Sequence, residues 1–217
     1  MKRNRRAIFV LTLLPMAFFL AFTYWYQGIS EPLTAEEVSR YMNIIESQPQ
    51  NPGGRHKIPA LRDFLENDDG KPFYTVNLYK YFDQATYQDA QMSNVTGREA
   101  FDRFTRVMVP LLIQHASHPI FGSNQMLETL TGWDRLVIVR YRSRRDIADI
   151  FASSEFAEAS KHKWAALEKN ERMLVQGVHI PELFIAAIAI TIVWSLVAFC
   201  IRGSGVRIAL RTSGGVN

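Results

Sequence analysis

The chain has 217 residues, room for one domain of ordinary size plus additional segments. One cysteine, Cys200, excludes a disulfide framework and a cysteine-based zinc site, and 12% aromatic residues exclude a disordered or collagenous chain. The net charge of +4 suggests a nucleic-acid binder until it is located: Lys2, Arg3, Arg5 and Arg6 open the chain, Arg202, Arg207 and Arg211 close it, and neither flank holds an acid. Without those seven, 18 basic residues face 21 acidic ones, so the interior is mildly acidic and no nucleic-acid partner is expected.

After a basic tail (1–6), residues 7–26 (AIFVLTLLPMAFFLAFTYWY) form an uncharged run. As a helix it reaches roughly 30 Å, the thickness of a bilayer's hydrocarbon layer. It ends in Tyr24, Trp25 and Tyr26, residues suited to the headgroup level. It is longer than a signal-peptide core and lacks a small-residue cleavage site, so an uncleaved transmembrane helix is expected. A second uncharged run, 183–201 (LFIAAIAITIVWSLVAFCI), follows Pro181, precedes a short Gly-rich tail, 202–217, and is expected to be a second transmembrane helix. Basic flanks favour the cytoplasmic side, which places both termini there and the body of the chain outside the inner (cytoplasmic) membrane. The lipid bilayer is the first expected partner.

Residues 27–70 read as a helical lead-in. Thr34 with Glu37 forms a capping box for a helix to about Gln48, and a short helix spans about Pro59–Glu66. From 71 to 180 the pattern is mixed. Phe73–Tyr81 is a strand by its aromatic and β-branched content. Thr96 and Glu99 form a second capping box, which explains Thr96 of the Asn94-Val95-Thr96 glycosylation match. It opens a helix to about His115 with Phe101, Phe104, Met108, Leu111 and Leu112 inward. Ile120–Leu127 and Arg135–Arg142 are the next strands. Ser143 with Asp146 starts further helix, broken at Ser153-Ser154 and ending near Asn170, and Met173–Ile180 is the last strand.

The order is β-α-β-β-α-β, an α+β domain whose helices cover one sheet face. Tyr74, Val76 and Leu78 are expected to face the helices, leaving Phe73, Thr75, Asn77 and Tyr79 on an open face. An open apolar face calls for a partner, and a homodimer through that face is the economical solution.

The segments PLLIQHASHPIFGS and WDRLVIVRYRSRRDIADIFASSEFAEASKHKWAAL carry a resemblance. Pro110-Leu111-Leu112, Trp133-Asp134, Ser143 and Ser153-Ser154-Glu155-Phe156 resemble a small bacterial family of unknown function within the dimeric α/β-barrel (ferredoxin-like) superfamily. Ala116-Ser117 stands where that family has Gly-Gly, Arg142 replaces a proline, and Phe156 replaces a tyrosine. The resemblance, from Phe73 to Ile180, implies a ferredoxin-like domain that pairs with a second copy. The superfamily includes cofactor-poor monooxygenases, isomerases and haem-handling proteins acting in the cleft between sheet and helices.

The candidate ligand-binding residues are Asn77, Tyr79, His118, Trp133, Asp134 and Arg140. Asn77 is an amide within an apolar strand, which either binds a ligand or hydrogen-bonds a neighbour. Trp133 offers a stacking face, and Asp134 a carboxylate or a turn. Arg140 belongs to a cluster with Arg142, Arg144 and Arg145, read as a solvated strand end paired with Asp146 and Asp149, the alternative being a site for an anionic ligand or lipid headgroups. His115 and His118 are three apart but separated by a helix end, and His162 reads as a solvated surface residue, so no metal site and no cofactor is expected. No catalytic residue can be named. Three functions stay open: a non-catalytic module for a small ligand or membrane partner, a cofactor-poor monooxygenase- or isomerase-like enzyme using the cleft, and a structural component of an envelope complex.

Overall fold

The computed structural model describes residues 16–27, 30–48, 57–87, 94–123, 126–127, 132–177, 189–194 and 196–197. It divides into two units, Met1–Gly177 and Val178–Asn217. In the second, 189–194 and 196–197 are helical. In the first, 16–27 are helical and precede α1 (Ala35–Ser47), α2 (Ile58–Glu66), β1 (Phe73–Tyr81), α3 (Gly97–Gln114), β2 (His118–Gly122), β3 (Arg135–Tyr141), α4 (Arg144–Ala152), α5 (Ser154–Ala166) and β4 (Leu167–Val175). Among the described residues no helix is long and apolar enough to cross a membrane. The remainder of the two expected spans, 7–15, 183–188, 195 and 198–201, lies outside the described residues, as do both basic tails.

The expected caps form. Thr34 accepts from the Glu37 amide and Thr96 from the Glu99 amide, each glutamate closing the box on the threonine's own N–H. Ser143 caps α4 by accepting from the Asp146 amide. Each such cap contributes about 1 kcal/mol. Helix α3 runs through Pro110, and its predicted inner residues are all buried.

The strands form one antiparallel sheet in the order β2-β3-β1-β4. This split arrangement is compatible with a ferredoxin-like fold. Helices α3 and α5 lie side by side over one face. At the start of α3, a Cβ on Gly97 would stand 2.3 Å from the Phe82 carbonyl oxygen and 2.6 Å from that of Ala166, so only glycine permits this approach.

Two strands differ from expectation. β2 is His118–Gly122 rather than Ile120–Leu127, and β4 is Leu167–Val175 rather than Met173–Ile180. Helix α5 therefore ends at Ala166, not near Asn170. Its last carbonyls are taken by the segment after β1: Phe82 N–H donates to Ala166 O and Thr86 N–H to Ala165 O, both near 2.9 Å.

The lead-in shares the domain's core. Val38, Met42 and Ile45 of α1 and Leu65 of α2 are fully buried, and burial of such a side chain stabilises by about 1.5–3 kcal/mol. Phe64 meets Phe73 edge-on at 5.1 Å, and Phe73 stacks on Tyr141 at 5.2 Å, joining α2 to the sheet.

Candidate functional site

Side chains alternate along β1, so residues 73, 75, 77, 79 and 81 share one face. That face is turned to the helices. Thr75 and Asn77 are 2% and 5% exposed, and the Tyr79 and Tyr81 rings pack on Phe101 of α3 at 4.7 and 5.5 Å. The expected orientation is reversed: Tyr74, Val76 and Leu78 belong to the open face. The helices present aromatic rings rather than a close-fitting aliphatic surface, and a mixed aromatic and polar row fits them because a cavity lies between.

This cavity, of about 270 Å³, has Thr75, Asn77 and Tyr79 of β1 and Val137, Val139 and Tyr141 of β3 as its floor. Phe101, Phe104, Met108 and Leu112 of α3, with Phe151 of α4 and Phe156 of α5, form its roof. Most of the lining is apolar. Asn77 spends its amide nitrogen inside the sheet, donating to Thr75 Oγ1 at 2.9 Å and Val137 O at 3.2 Å. Burial holds the Tyr79 and Tyr141 phenols well above their usual range, so both are neutral donors at physiological pH.

Three cations also line the cavity: Lys163 of α5, Arg172 of β4 and Arg135 of β3. None of them takes part in an ion pair among the described residues, and no Asp or Glu is in the lining. Lys163 Nζ lies 5.7 Å from the Phe104 ring centre, and the Arg172 guanidinium lies 5.7 Å from that of Phe151. Burial, reinforced by the positive charge of Arg172, pushes the Lys163 ammonium down to about 7. Burial also lowers Arg172. Arg172 stands opposite Asn77 in the β1–β4 register.

Of the sequence candidates, only Asn77 and Tyr79 line this cavity. His118 pairs with Arg140 across β2 and β3, and both contact Tyr26: the His118 ring stacks on it at 5.5 Å, and the Arg140 guanidinium lies 3.8 Å over it. Arg140 also donates to the Tyr26 carbonyl at 3.3 Å, so this pair anchors the helical segment 16–27. Asp134 is structural: its carboxylate accepts from the Tyr81 amide at 2.7 Å, and its own N–H donates to Tyr79 O at 2.9 Å. Trp133 precedes β3 and is half-buried outside the cavity lining. Asn77 and Tyr79 therefore do not converge with His118 or Trp133 on one site.

The arginine cluster is divided among structural contacts. Arg142 donates from Nε and Nη2 to the buried Asp146 carboxylate, matching the expected pairing. Arg144 lies over Phe64 and donates to its carbonyl, and Arg145 pairs with Glu37 of α1. Asp149 accepts instead from the Tyr41 hydroxyl. His115 lies 4.0 Å from both Asp146 and Asp149, and no group of three metal-ligating side chains forms among the described residues. His162 is half-buried rather than solvated, its Nδ1 2.7 Å from the Tyr87 hydroxyl.

Lys163 and Arg172 were the important omissions. A signal for Lys163 existed: it is seven residues after Phe156 and four after Ala159, on the buried stripe of α5. Arg172 was hidden because the last strand was expected to begin one residue later.

An antiparallel α+β fold with a split strand order and a roofed cavity is the class these features define. No known family's profile matches the chain, and no curated protein does. Solved structures do. The RPA0582 protein, described as a protein of unknown function from Rhodopseudomonas palustris, is similar in two crystal structures, one of the methylated protein. Both are 23% identical, with TM-scores of 0.51 and 0.50; the matches cover 57% and 56% of this chain and 93% and 94% of the other. A hydroxynitrile lyase from Passiflora edulis matches at 14% identity and a TM-score of 0.35 over 52% of this chain and 99% of its own, too distant to bear on function. The likeness extends to the fold.

Proposed function

We propose that this chain is a membrane-anchored, extracytoplasmic module that binds a small ligand between sheet and helices and pairs with a second copy through its open sheet face. The observation that carries the binding role is the cavity: about 270 Å³, walled by rings, with a few polar groups converging from three strands and two helices. An engineered cavity of roughly 150 Å³ already accepts benzene, so a compact organic ligand fits here. Anchoring is supported by the two uncharged runs and their basic flanks. Pairing is supported by exposed Phe121, Met173 and Val175 beside half-buried Val76, Leu78, Leu136 and Ile138 on the open face.

The test fills the cavity. In full-length protein in detergent, Met108→Trp removes ligand-induced thermal shifts across a small-molecule panel while leaving the fold intact by circular dichroism. Undiminished shifts in that variant would place binding elsewhere and overturn the proposal.

One observation favours an enzymatic reading of the same cavity. With its ammonium at about 7, Lys163 supplies both amine and ammonium near neutral pH, as a general acid–base group requires. Proton transfer on a bound ligand then depends on Lys163, and deuterium exchange into that ligand from heavy water measures it.

A further inference from the structure

The cavity's charge is unbalanced in a way its walls cannot explain. Its lining contains Lys163, Arg172 and Arg135 and no carboxylate, although the interior of the chain as a whole is acidic. Withdrawing an ion from water costs several kcal/mol unless a partner restores the loss. Elsewhere in the molecule the partner is supplied: Arg142 has Asp146, and Arg145 has Glu37. Lys163 has the rings of Trp164 at 4.8 Å and Phe104 at 5.7 Å, and Arg172 that of Phe151 at 5.7 Å, a weaker compensation than a carboxylate.

The two cations come from opposite layers, Lys163 from the helical roof and Arg172 from the floor. Apart from Thr105 the rest of the roof is apolar, with Phe101, Phe104, Phe151 and Phe156 supplying its rings. A fitting occupant therefore has one localised negative charge and an otherwise apolar body. An inorganic anion would satisfy the cations and leave the rings against empty space. A neutral hydrocarbon would do the reverse.

We infer that the cavity binds a small organic acid, with its carboxylate held by Lys163 and Arg172 and its aromatic or short aliphatic body among the phenylalanines of the roof. This deepens the proposed binding role and rests on it. The other charged or titratable groups of the lining are Tyr79 on β1 and Arg135 and Tyr141 on β3; α3 contributes none. Both tyrosines stay neutral through the neutral range, so Lys163 alone titrates there. A carboxylate beside it favours the ammonium, so binding takes up a proton when the free protein is above about pH 7. Affinity is then flat from that pH down to the acid's own titration and falls as the pH rises above it.

The experiment is titration calorimetry on the full-length protein in detergent at pH 6.5, with benzoate and hexanoate against benzamide and hexanamide. Inorganic phosphate is the further arm. The acids bind at least tenfold more tightly than the matched amides, and phosphate at 10 mM gives no heat of binding. Lys163→Met and Arg172→Met each weaken the acids at least tenfold without weakening the amides, and Lys163→Arg restores much of the loss. At pH 8, runs in buffers of different ionisation enthalpy report net proton uptake. Amides binding as well as acids, acids indifferent to both methionine variants, phosphate binding as tightly as benzoate, or acids that fail to bind at 10 mM would each overturn the inference. If amides bind and Met108→Trp still blocks them, the cavity remains a ligand site and only its charge preference is lost. If no probe binds, both readings fail.

Discussion

Two groups of cations border the domain's helices, and they are treated in opposite ways. Around the start of α4, Arg142 meets Asp146 of the same helix and Arg145 meets Glu37 of the lead-in, and both guanidinium groups are held above their usual range mainly by those hydrogen bonds. In the cavity, Lys163 and Arg172 meet none and are lowered, chiefly by burial. In the first group Arg145 joins α4 to α1, and Arg142 closes the turn into α4. The other leaves an electrostatic demand open. A half-buried charge with its partner in the sequence is architecture, whereas one without a partner in a cavity marks a candidate binding site.

The contrast breaks first at the start of α4. Asp146 is buried and receives Arg142, the Ser143 hydroxyl and a place in the first turn of α4. Asp146→Asn costs about 3 kcal/mol in denaturant unfolding, because it leaves Arg142 half-buried without its anion. In the cavity the sign is opposite. Arg172→Met or Lys163→Met raises ligand-free stability by about 2 kcal/mol, since an unpaired cation is replaced by a side chain suited to the walls.

The pH profile sharpens the same point. Lys163 titrates near 7 in the folded chain and near 10.5 when unfolded, so wild-type stability rises as the pH goes from about 7 towards 10. Above 10 it falls again, as unfolded tyrosines ionise while Tyr79 and Tyr141 stay neutral. Lys163→Met loses the rising limb, which melting curves at half-unit pH steps resolve. Between α1 and α4, the Glu37 carboxyl is held down at about 2, first by its hydrogen bond to Arg145. Its stabilisation is therefore complete above the ordinary value of 4.5 and is lost as the pH falls through about 2. Glu37→Gln keeps the capping geometry, loses the pair, and costs about 1 kcal/mol at pH 7, abolishing that acid limb. The smallest effect on stability is at the open face: Met173→Glu changes it by about 0.5 kcal/mol or less. If the open face pairs two copies as proposed, light scattering finds the wild type dimeric and the same variant monomeric.

The sequence carried the local parts of this structure and lost the parts set by packing. Capping boxes at Thr34 and Thr96 and the serine cap at Ser143 are short-range devices, legible wherever they occur. The inward stripe of α3 from Phe101 to Leu112 was equally plain. The facing of β1 was not, because both of its faces carry aromatic or aliphatic side chains, and only the cavity beneath the helices decides which is roofed. β4 was displaced because Glu168, Lys169 and Glu171 are exposed on an edge strand, where charge is usual and the apolar signal weak. Asn77 stood out as an amide among apolar residues. Lys163 did not, since a lysine between His162 and Trp164 resembles any charged helix surface until its neighbours one and two turns back are seen to be buried.

The most direct test is a crystal structure of the full-length protein with 4-bromobenzoate, whose bromine is located by anomalous scattering. The expected result is a bromine peak among Phe101, Phe104, Phe151 and Phe156, with the carboxylate within hydrogen-bond reach of Lys163 and Arg172. An empty cavity at saturating ligand, or a ring inserted with its carboxylate turned away from both cations, would contradict it.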